Sequence, residues 1–400
     1  MATFLLIVIY ASFIGLGLPD SIFGSAWPEI YAEFEIPFSY GSFVTTLISL
    51  FTVLSSLLSV KIINVLKTSY TVVLSSTLIA LGLILFSYTQ SFFSMCLLSI
   101  PFGLGAGCID SALNNYVAVH YKASHMNFLH AFYGLGVMLT PLIMHFAFKD
   151  IGSWRIGYRL VFYIQLAVCV ISVISIPFWK KVQEKYKKIN DENVQEVKYN
   201  TSILSVVKMR SVRIIWLIFI GSCAIEFTCG NWLSTYFVEG KSVGAETGAL
   251  VMVFYYAGMT IGRLISGFIS GKVKPWNIIF IGQGITLFGI ILMALPLSIV
   301  PVCIGIGLIG LGNGPVFPNL AHLTPTNFGV ENSQAVMGTQ MTACYVGVTV
   351  MPLVYGVIAK ATTVHIFPWF LIGMYAIMIV GTCVFYKFYA KKGIKTKDKT

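Results

Sequence analysis

The sequence predicts an all-α membrane protein in which twelve transmembrane helices form two related six-helix bundles. Three observations predict this fold. Hydrophobic residues make up 57% of the chain and charged residues 10%, whereas soluble domains carry about 45–50% and about 25%. Twelve apolar runs are long enough to cross a bilayer, for which a helix needs about 20 residues. Short patterns of the first half also recur in the second half at a nearly constant distance.

The twelve apolar runs are separated by polar or proline-containing segments. A helix is the expected form of each run, because it satisfies its backbone hydrogen bonds internally. Membrane β-strands are disfavoured, because the runs are too long and lack two-residue alternation. The predicted spans, numbered 1 to 12 in chain order, are residues 4–27, 39–60, 69–88, 92–119, 126–148, 157–179, 212–237, 247–271, 276–295, 298–321, 334–358 and 366–388.

The distribution of Lys and Arg predicts the orientation in the membrane. With the N-terminus inside, 21 of the 26 Lys and Arg residues belong to inner segments. Cytoplasmic loops carry such an excess, so both termini are predicted to be cytoplasmic, in the plasma (inner) membrane. This distribution accounts for the net charge of +11 without a nucleic-acid partner. The five basic residues of the predicted outer side are Lys149, Arg155, Arg159, Lys241 and Lys360.

Residues 180–211 form the one long polar segment, rich in Lys, Glu, Asn and Gln. We interpret them as a cytoplasmic linker that joins an N-terminal six-helix bundle, residues 1–179, to a C-terminal six-helix bundle, residues 212–390. Residues 391–400 are expected to form a polar cytoplasmic tail. The protein is expected to be a monomer.

Three patterns recur in the two halves, 206 to 211 residues apart and in the same order. An even number of spans in the repeated unit keeps both copies in the same orientation, so the halves should be related by an axis along the membrane normal. The glycine-rich pattern, like the pair Gly267/Gly271, predicts close helix packing of the GxxxG type. The recurring pairs are Asp20-x3-Gly24 with Glu226-x3-Gly230, Gly103–Gly107 with Gly310–Gly314, and residues 136–143 with 347–354.

Three of the 15 carboxylates lie inside predicted spans: Asp20, Asp110 and Glu226. An acid at the helix centre costs about 2.5–3.5 kcal/mol on insertion scales, so it normally faces a polar cavity or pairs with a partner. A carboxylate that is exposed to each side of the membrane in turn can take up a proton on one side and release it on the other. These three are therefore the candidate proton-coupling residues; the alternative is a hydrogen bond that only fixes helix packing. Pro19, which cannot donate a backbone hydrogen bond, precedes the first of them.

Asp110 and Asn114 are four residues apart and share one helical face. An acid and an amide so placed can bind a hydroxylated ligand. His130 is a candidate proton relay, because imidazole titrates near neutrality, or a structural histidine. Trp27 and Trp232 fit either an interfacial aromatic belt or a stacking platform for a sugar ring. The candidate substrate-binding residues are Asp20, Asp110, Asn114, His130, Asn231, Trp232, Asn319, His322, Gln340 and Tyr345.

Arg263 lies late in span 8, near the predicted cytoplasmic side. Its side chain could act in a gate by pairing with the other half, or it could simply extend to the membrane surface. No metal or other cofactor is expected, because the eight cysteines form no CxxC pair and have no His at zinc-ligand spacing. The sequence also lacks a phosphate loop and a nucleophile elbow, so an enzyme is not expected.

Twelve spans, a basic central loop and the six-plus-six repeat resemble the major facilitator superfamily. Within it, Leu18-Pro19-Asp20 and the run Asp110 to Asn114 are similar to the fucose–proton symporter family and its sugar-transporting relatives. That resemblance implies proton movement and sugar binding for Asp20, Asp110 and Asn114. The superfamily's Gly/Asp/Arg pattern between spans 2 and 3 is missing, and Gly271 stands where an Asp is usual between spans 8 and 9.

These features together predict a secondary transporter that carries a small polar solute such as a sugar with protons, by alternating access. A drug or metabolite exporter that works as a proton antiporter is the alternative, because aromatic residues make up 14% of the chain. A membrane receptor that does not transport is a third interpretation, which the lack of a sizeable soluble domain disfavours.

Overall fold

The computed structural model describes residues 2–121, 123–190, 203–270 and 272–390. Within these ranges, twelve helical segments are long and apolar enough to cross a membrane, which confirms the predicted number and the all-α class. Three predicted features lie wholly or partly outside the described residues: residues 191–202 of the linker predicted at 180–211, Gly271 of the GxxxG pair with Gly267, and the tail at 391–400.

Most spans are single helices, and spans 2 and 3 share one helix that is broken at Lys67, whose φ is 68°. Short helices at Ile203–Val207 and Thr324–Phe328 lie outside the spans. The helices of spans 1 to 12 are Ala2–Glu33, Gly41–Phe86 (spans 2 and 3), Phe92–His120, Ala123–Phe146, Trp154–Asn190, Arg210–Lys241, Ala245–Ile269, Pro275–Ala294, Ile299–Asn313 with Val316–His322 (span 10), Val330–Tyr345 with Met351–Ala361 (span 11), and Phe367–Phe385.

The helix of span 1 continues to Glu33, six residues beyond the predicted end at residue 27. The acidic residues of this last part made it resemble a loop in the sequence. In the structure the Glu33 carboxylate accepts hydrogen bonds from Trp154 Nε1 at 2.7 Å and from Arg155 Nη1 at 2.5 Å. At the start of span 6, Arg155 thus balances the charge of Glu33 and Trp154 adds a neutral hydrogen bond.

The chain divides into two compact units, Met1–Val194 with Gly230–Thr260, and Gln195–Cys229 with Ile261–Thr400. The division passes through spans 7 and 8, each of which contributes one part to the first unit. The second unit also includes the helix Ile203–Val207 of the predicted linker, where Val206 is buried beside Val212 and Val336. The predicted bundles at 1–179 and 212–390 follow the sequence repeat and stay a prediction.

The glycine pattern of span 4 packs against span 2, as predicted. A side chain at Gly103 would meet the Ile48 carbonyl, and one at Gly107 would meet the Thr52 carbonyl. The prediction for Gly267 is wrong, because no atom lies within 4 Å of where its side chain would be. Close backbone approach therefore explains the first pair of glycines but not Gly267.

Candidate functional site

Asp20 is the one exposed residue between Gly15 and Pro28 of span 1. Its neighbours on the same helical face are buried, with Leu16 4% exposed and Phe23 5% exposed. A helix face against lipid would show exposed residues at every third or fourth position. The exposure of Asp20 is therefore a local opening in the part of span 1, residues 15–28, that is otherwise buried.

Span 5 supplies a partner of this carboxylate. The Tyr133 hydroxyl donates a hydrogen bond to Asp20 Oδ2 at 2.5 Å. Two further bonds join the same spans: Ser21 Oγ donates to the Val137 carbonyl at 2.7 Å, and Thr140 Oγ1 donates to the Leu18 carbonyl at 2.8 Å. Polar contacts on both sides of Pro19 thus fix the position of Asp20 against span 5.

Asp110 and Asn114 meet on one face of span 4, as their spacing predicts. Asn114 Nδ2 donates to Asp110 Oδ1 at 2.8 Å and to the Asp110 carbonyl at 3.1 Å. Both side chains are half-buried. The adjacent Ser111 Oγ lies 2.7 Å from Ser56 Oγ of span 2. This arrangement uses the amide nitrogen of Asn114 and leaves its amide oxygen and Asp110 Oδ2 to accept hydrogen bonds from a ligand.

Glu226 of span 7 pairs with Arg263 of span 8 inside the second unit. Arg263 Nη2 lies 3.1 Å from Oε1 and 3.2 Å from Oε2, and each of the two side chains is 14% exposed. Arg263 Nε also donates to the Gly314 carbonyl at 3.3 Å. In a regular helix that carbonyl would accept from residue 318, which is a proline without an N–H. The guanidinium therefore balances a half-buried carboxylate and also satisfies a carbonyl that Pro318 leaves without a donor.

Two other candidates of the second unit have roles in helix packing. Asn319 Nδ2 donates to Ser266 Oγ of span 8 at 2.8 Å and to the Pro315 carbonyl at 2.7 Å. Gln340 is fully buried, and its Oε1 accepts from Thr324 Oγ1 at 3.0 Å. Its Nε2 has no hydrogen-bond partner among the described residues.

The other candidates differ widely in exposure. His322 is exposed, whereas His130, Asn231 and Tyr345 are half-buried. The His130 ring lies 5.9 Å from the ring of Phe13, in an edge-to-face arrangement. The structure thus brings together two groups of predicted residues, Asp110 with Asn114 and Glu226 with Arg263. The transport roles of all the candidate residues stay predictions.

The two tryptophans near the predicted outer ends are buried, so the aromatic-belt interpretation is wrong for both. Trp27 is 1% exposed and Trp232 is 2% exposed. Trp27 Nε1 donates to the Phe38 carbonyl at 2.7 Å, and the Trp232 ring meets the Phe38 ring edge-to-face at 6.0 Å. Phe38, in the turn after span 1, therefore contacts both tryptophans within the first unit.

Further contacts in the first unit connect spans 1 and 5 to spans 7 and 8. The Tyr31 hydroxyl donates to the Glu239 carboxylate, and His145 Nδ1 lies 2.8 Å from the Glu246 carbonyl. A side chain at Gly24 would meet the Gly230 carbonyl. The two glycines of the repeated acid-x3-Gly pattern therefore meet each other where spans 1 and 7 cross.

Sequence reasoning missed Tyr133, Ser56 and the pair Ser222–Asn313. Asn313 Nδ2 donates to the Ser222 carbonyl at 3.0 Å, and Ser222 Oγ donates back to Asn313 Oδ1 at 3.0 Å. Asn313 carried a signal, because it interrupts the glycine pattern of span 10. Tyr133 and Ser56 carried none, because single hydroxyls in apolar runs are common and only the fold shows what they face.

Among the described residues, no group of three or more His, Cys, Asp or Glu side chains is placed to hold a metal ion. The polar groups of the site are carboxylates, amides, hydroxyls and a guanidinium. Such a set can bind hydroxylated or charged solutes and can exchange protons.

The family profile described as the Major Facilitator Superfamily matches residues 9–352. Bypass of stop codon protein 6 of Saccharomyces cerevisiae is 24% identical over 340 residues, which cover 76% of this chain and 67% of that protein. The glucose/mannose transporter GlcP of Bacillus subtilis is 24% identical over 208 residues, which cover 51% of this chain and 50% of that protein.

A crystal structure of a mutant of the nucleoside transporter NupG has a similar fold. The TM-score is 0.72 at 10% sequence identity, and the match covers 95% of this chain and 98% of the other. At this identity the likeness concerns the fold alone. It agrees with the predicted fold class.

Proposed function

This chain belongs to the Major Facilitator Superfamily, and we propose that it is a proton-coupled symporter of a small polar solute, most simply a sugar. The main support is the exposure of Asp20 within residues 15–28 of span 1, which are otherwise buried. A carboxylate is tolerated at that depth when it borders a water-accessible passage. An acid in that position is suited to exchange protons with either side of the membrane.

Asp20 is the proposed proton carrier, and Tyr133 is its positioning residue. The hydrogen bond at 2.5 Å holds one carboxylate oxygen against span 5. The other oxygen is the proposed group that takes up and releases the proton. Protonation of Asp20 removes a charge from the passage, which favours the rearrangement that exposes the site to the other side.

Asp110 and Asn114 are the proposed solute-binding pair. Asp110 Oδ2 and the Asn114 amide oxygen accept hydrogen bonds from two adjacent hydroxyls, the arrangement that a pyranose ring presents. The likeness to a glucose/mannose transporter supports a sugar. Glu226 is left out of the proposed coupling set, because Arg263 already balances its charge.

Uptake into proteoliposomes tests the proposal. The purified full chain should accumulate a labelled hexose when the outside is made acidic, and a protonophore should abolish the accumulation. Uptake should also make a weakly buffered outer medium more alkaline. Solute efflux driven by an inward proton gradient would contradict symport and favour the exporter. Proton-coupled uptake of a different solute class, with no competition by hexoses, would overturn the sugar assignment alone.

A further inference from the structure

A second polar site lies away from the candidate transport residues, at the end of span 1. It is a cavity of about 490 Å³ between the end of span 1, the turn after span 3 and the start of span 6. Its charged side chains are Glu33, Arg155 and Arg159, so one positive charge is in excess. Ser87, Tyr88 and Gln90 complete its polar lining.

The two arginines of this cavity have different surroundings. Arg155 is held by Glu33 and by the Thr89 carbonyl, to which its Nη2 donates at 2.9 Å. Arg159 Nε donates to Ser87 Oγ at 3.3 Å, and its guanidinium carbon lies 4.7 Å from the centre of the Tyr88 ring. The Nη groups of Arg159 have no acceptor among the described residues. A half-buried guanidinium is thus oriented by a hydroxyl and an aromatic ring, with its two Nη groups left for an anion.

The position of these arginines in the sequence is unusual. They are two of only five basic residues on the predicted outer side, where Lys and Arg are sparse. Arg155 is explained by its ion pair with Glu33. Arg159 has no carboxylate partner in the described part of the chain, so the fold alone does not account for its charge.

The surroundings of Arg159 indicate which anion it faces. Leu160 is 42% exposed and Tyr163, four residues after Arg159 on the same helical face, is 63% exposed. On the other side, Leu85 is 45% exposed and Tyr88 is 63% exposed. Exposed apolar and tyrosine side chains at the end of a span mark the boundary between hydrocarbon and headgroups. This exposed edge beside Arg159 therefore fits the depth of the lipid headgroups.

We propose that this pocket binds the phosphodiester headgroup of an anionic phospholipid. Both Nη donors of Arg159 bind phosphate oxygens in the bidentate way that suits a guanidinium. Gln90, an exposed residue of the cavity lining, binds the remaining polar groups of the headgroup. The acyl chains lie along the exposed face formed by Leu85, Leu160 and Tyr163.

Native mass spectrometry of the full chain tests the proposal. Delipidated protein in mild detergent would be titrated with phosphatidylglycerol or with phosphatidylcholine. We expect at least one phosphatidylglycerol to be retained, and Arg159→Gln to weaken its binding about tenfold, the loss expected for a charge-assisted pair. Lys241→Gln removes a basic residue from the same predicted side, outside the pocket, and should leave binding unchanged.

Two further variants separate the charge of Arg159 from its geometry. Arg159→Lys keeps the positive charge but loses the planar guanidinium that binds two phosphate oxygens at once. This variant should bind phosphatidylglycerol more weakly than the wild type. Should Arg159→Gln not fold, Tyr88→Leu removes the supporting ring and should also lower phosphatidylglycerol binding. Wild-type retention of phosphatidylglycerol by both Arg159→Lys and Tyr88→Leu would overturn the proposal. Displacement of the lipid by inorganic phosphate at low millimolar concentration would overturn the lipid assignment and indicate a site for a free anion.

Discussion

Asp20 and Glu226 occupy matching positions of the repeated halves, yet their identified partners differ in kind. Asp20 accepts a hydrogen bond from the uncharged Tyr133 hydroxyl, whereas Glu226 is paired with the Arg263 guanidinium. The repeated acid-x3-Gly pattern therefore places an acid at the same position of each half, with a tyrosine hydroxyl among the partners of one acid and a guanidinium beside the other. Because the charge of Glu226 is already balanced inside the second unit, proton coupling is assigned to the exposed acid of the first half.

Replacing Tyr133 by Phe removes the hydroxyl and keeps the ring. The maximal rate of proton-driven uptake should fall about tenfold, because hydrogen bonds to charged groups contribute about 1.5–3 kcal/mol. Protein yield and thermal stability should change little. Tyr163→Phe, on the lipid-facing side of span 6, is the matched control and should transport normally. Wild-type uptake by Tyr133→Phe would show that the hydroxyl does not position Asp20.

The effects of replacing Glu226 and Arg263 on thermal stability should depend on each other. Arg263→Gln leaves a half-buried carboxylate without its cation, so a loss of about 3 kcal/mol, the lower end of the range for buried pairs, is expected. The double variant Glu226→Gln with Arg263→Gln should be more stable than Arg263→Gln alone, because no unbalanced charge remains. Thermal unfolding in detergent measures both. Equal melting temperatures of the single and double variants would contradict the pairing.

The crossing of spans 1 and 7 at Gly24 should not tolerate a side chain. Gly24→Ala would push against the Gly230 carbonyl, and overpacking of this kind costs about 1–3 kcal/mol. Gly284→Ala, in span 9, meets no atom within 4 Å and should be neutral or slightly stabilising. Thermal stability and uptake would be compared in parallel. If Gly24→Ala transports and melts like Gly284→Ala, the two backbones do not meet closely in the functional protein.

The predicted orientation can be tested by labelling cysteines in a background without the native ones. Lys274→Cys, before span 9, should react with a membrane-impermeant maleimide only after the cytoplasmic side is opened. Lys149→Cys, between spans 5 and 6, should react in intact cells. Both lysines are exposed, so accessibility alone does not distinguish them. The reverse pattern would show that the excess of basic residues faces outward.

Hydropathy was sufficient to predict the spans, because an apolar run of about 20 residues has few alternatives to crossing a bilayer. Hydropathy placed the end of span 1 too early, because Glu29 and Glu33 give this part of the helix the polar character of a loop. The hydrogen bonds of Glu33 with Trp154 and Arg155 become visible only in the fold. Helix ends that depend on partners far along the chain cannot be predicted from local composition.

The acids of the site were predictable, because Asp20, Asp110 and Glu226 stand out in apolar runs by their insertion cost. The pairing of Asp110 with Asn114 followed from helical spacing. Their long-range partners were not predictable, because a tyrosine such as Tyr133 does not stand out in an aromatic-rich chain. The burial of Trp232 was missed for a similar reason, since one of the rings that it contacts belongs to Phe38, which is far away in the sequence.

Proton coupling through Asp20 is best tested by solute transport in Asp20→Asn, which keeps the shape of the side chain but cannot carry a proton. Two assays would be run on the same proteoliposomes: accumulation driven by a proton gradient, and exchange of labelled for unlabelled solute without a gradient. Asp150→Asn, at an exposed position after span 5, is the control. We expect Asp20→Asn to lose accumulation and keep exchange, while the control keeps both. Full gradient-driven accumulation by Asp20→Asn would contradict the proposed coupling.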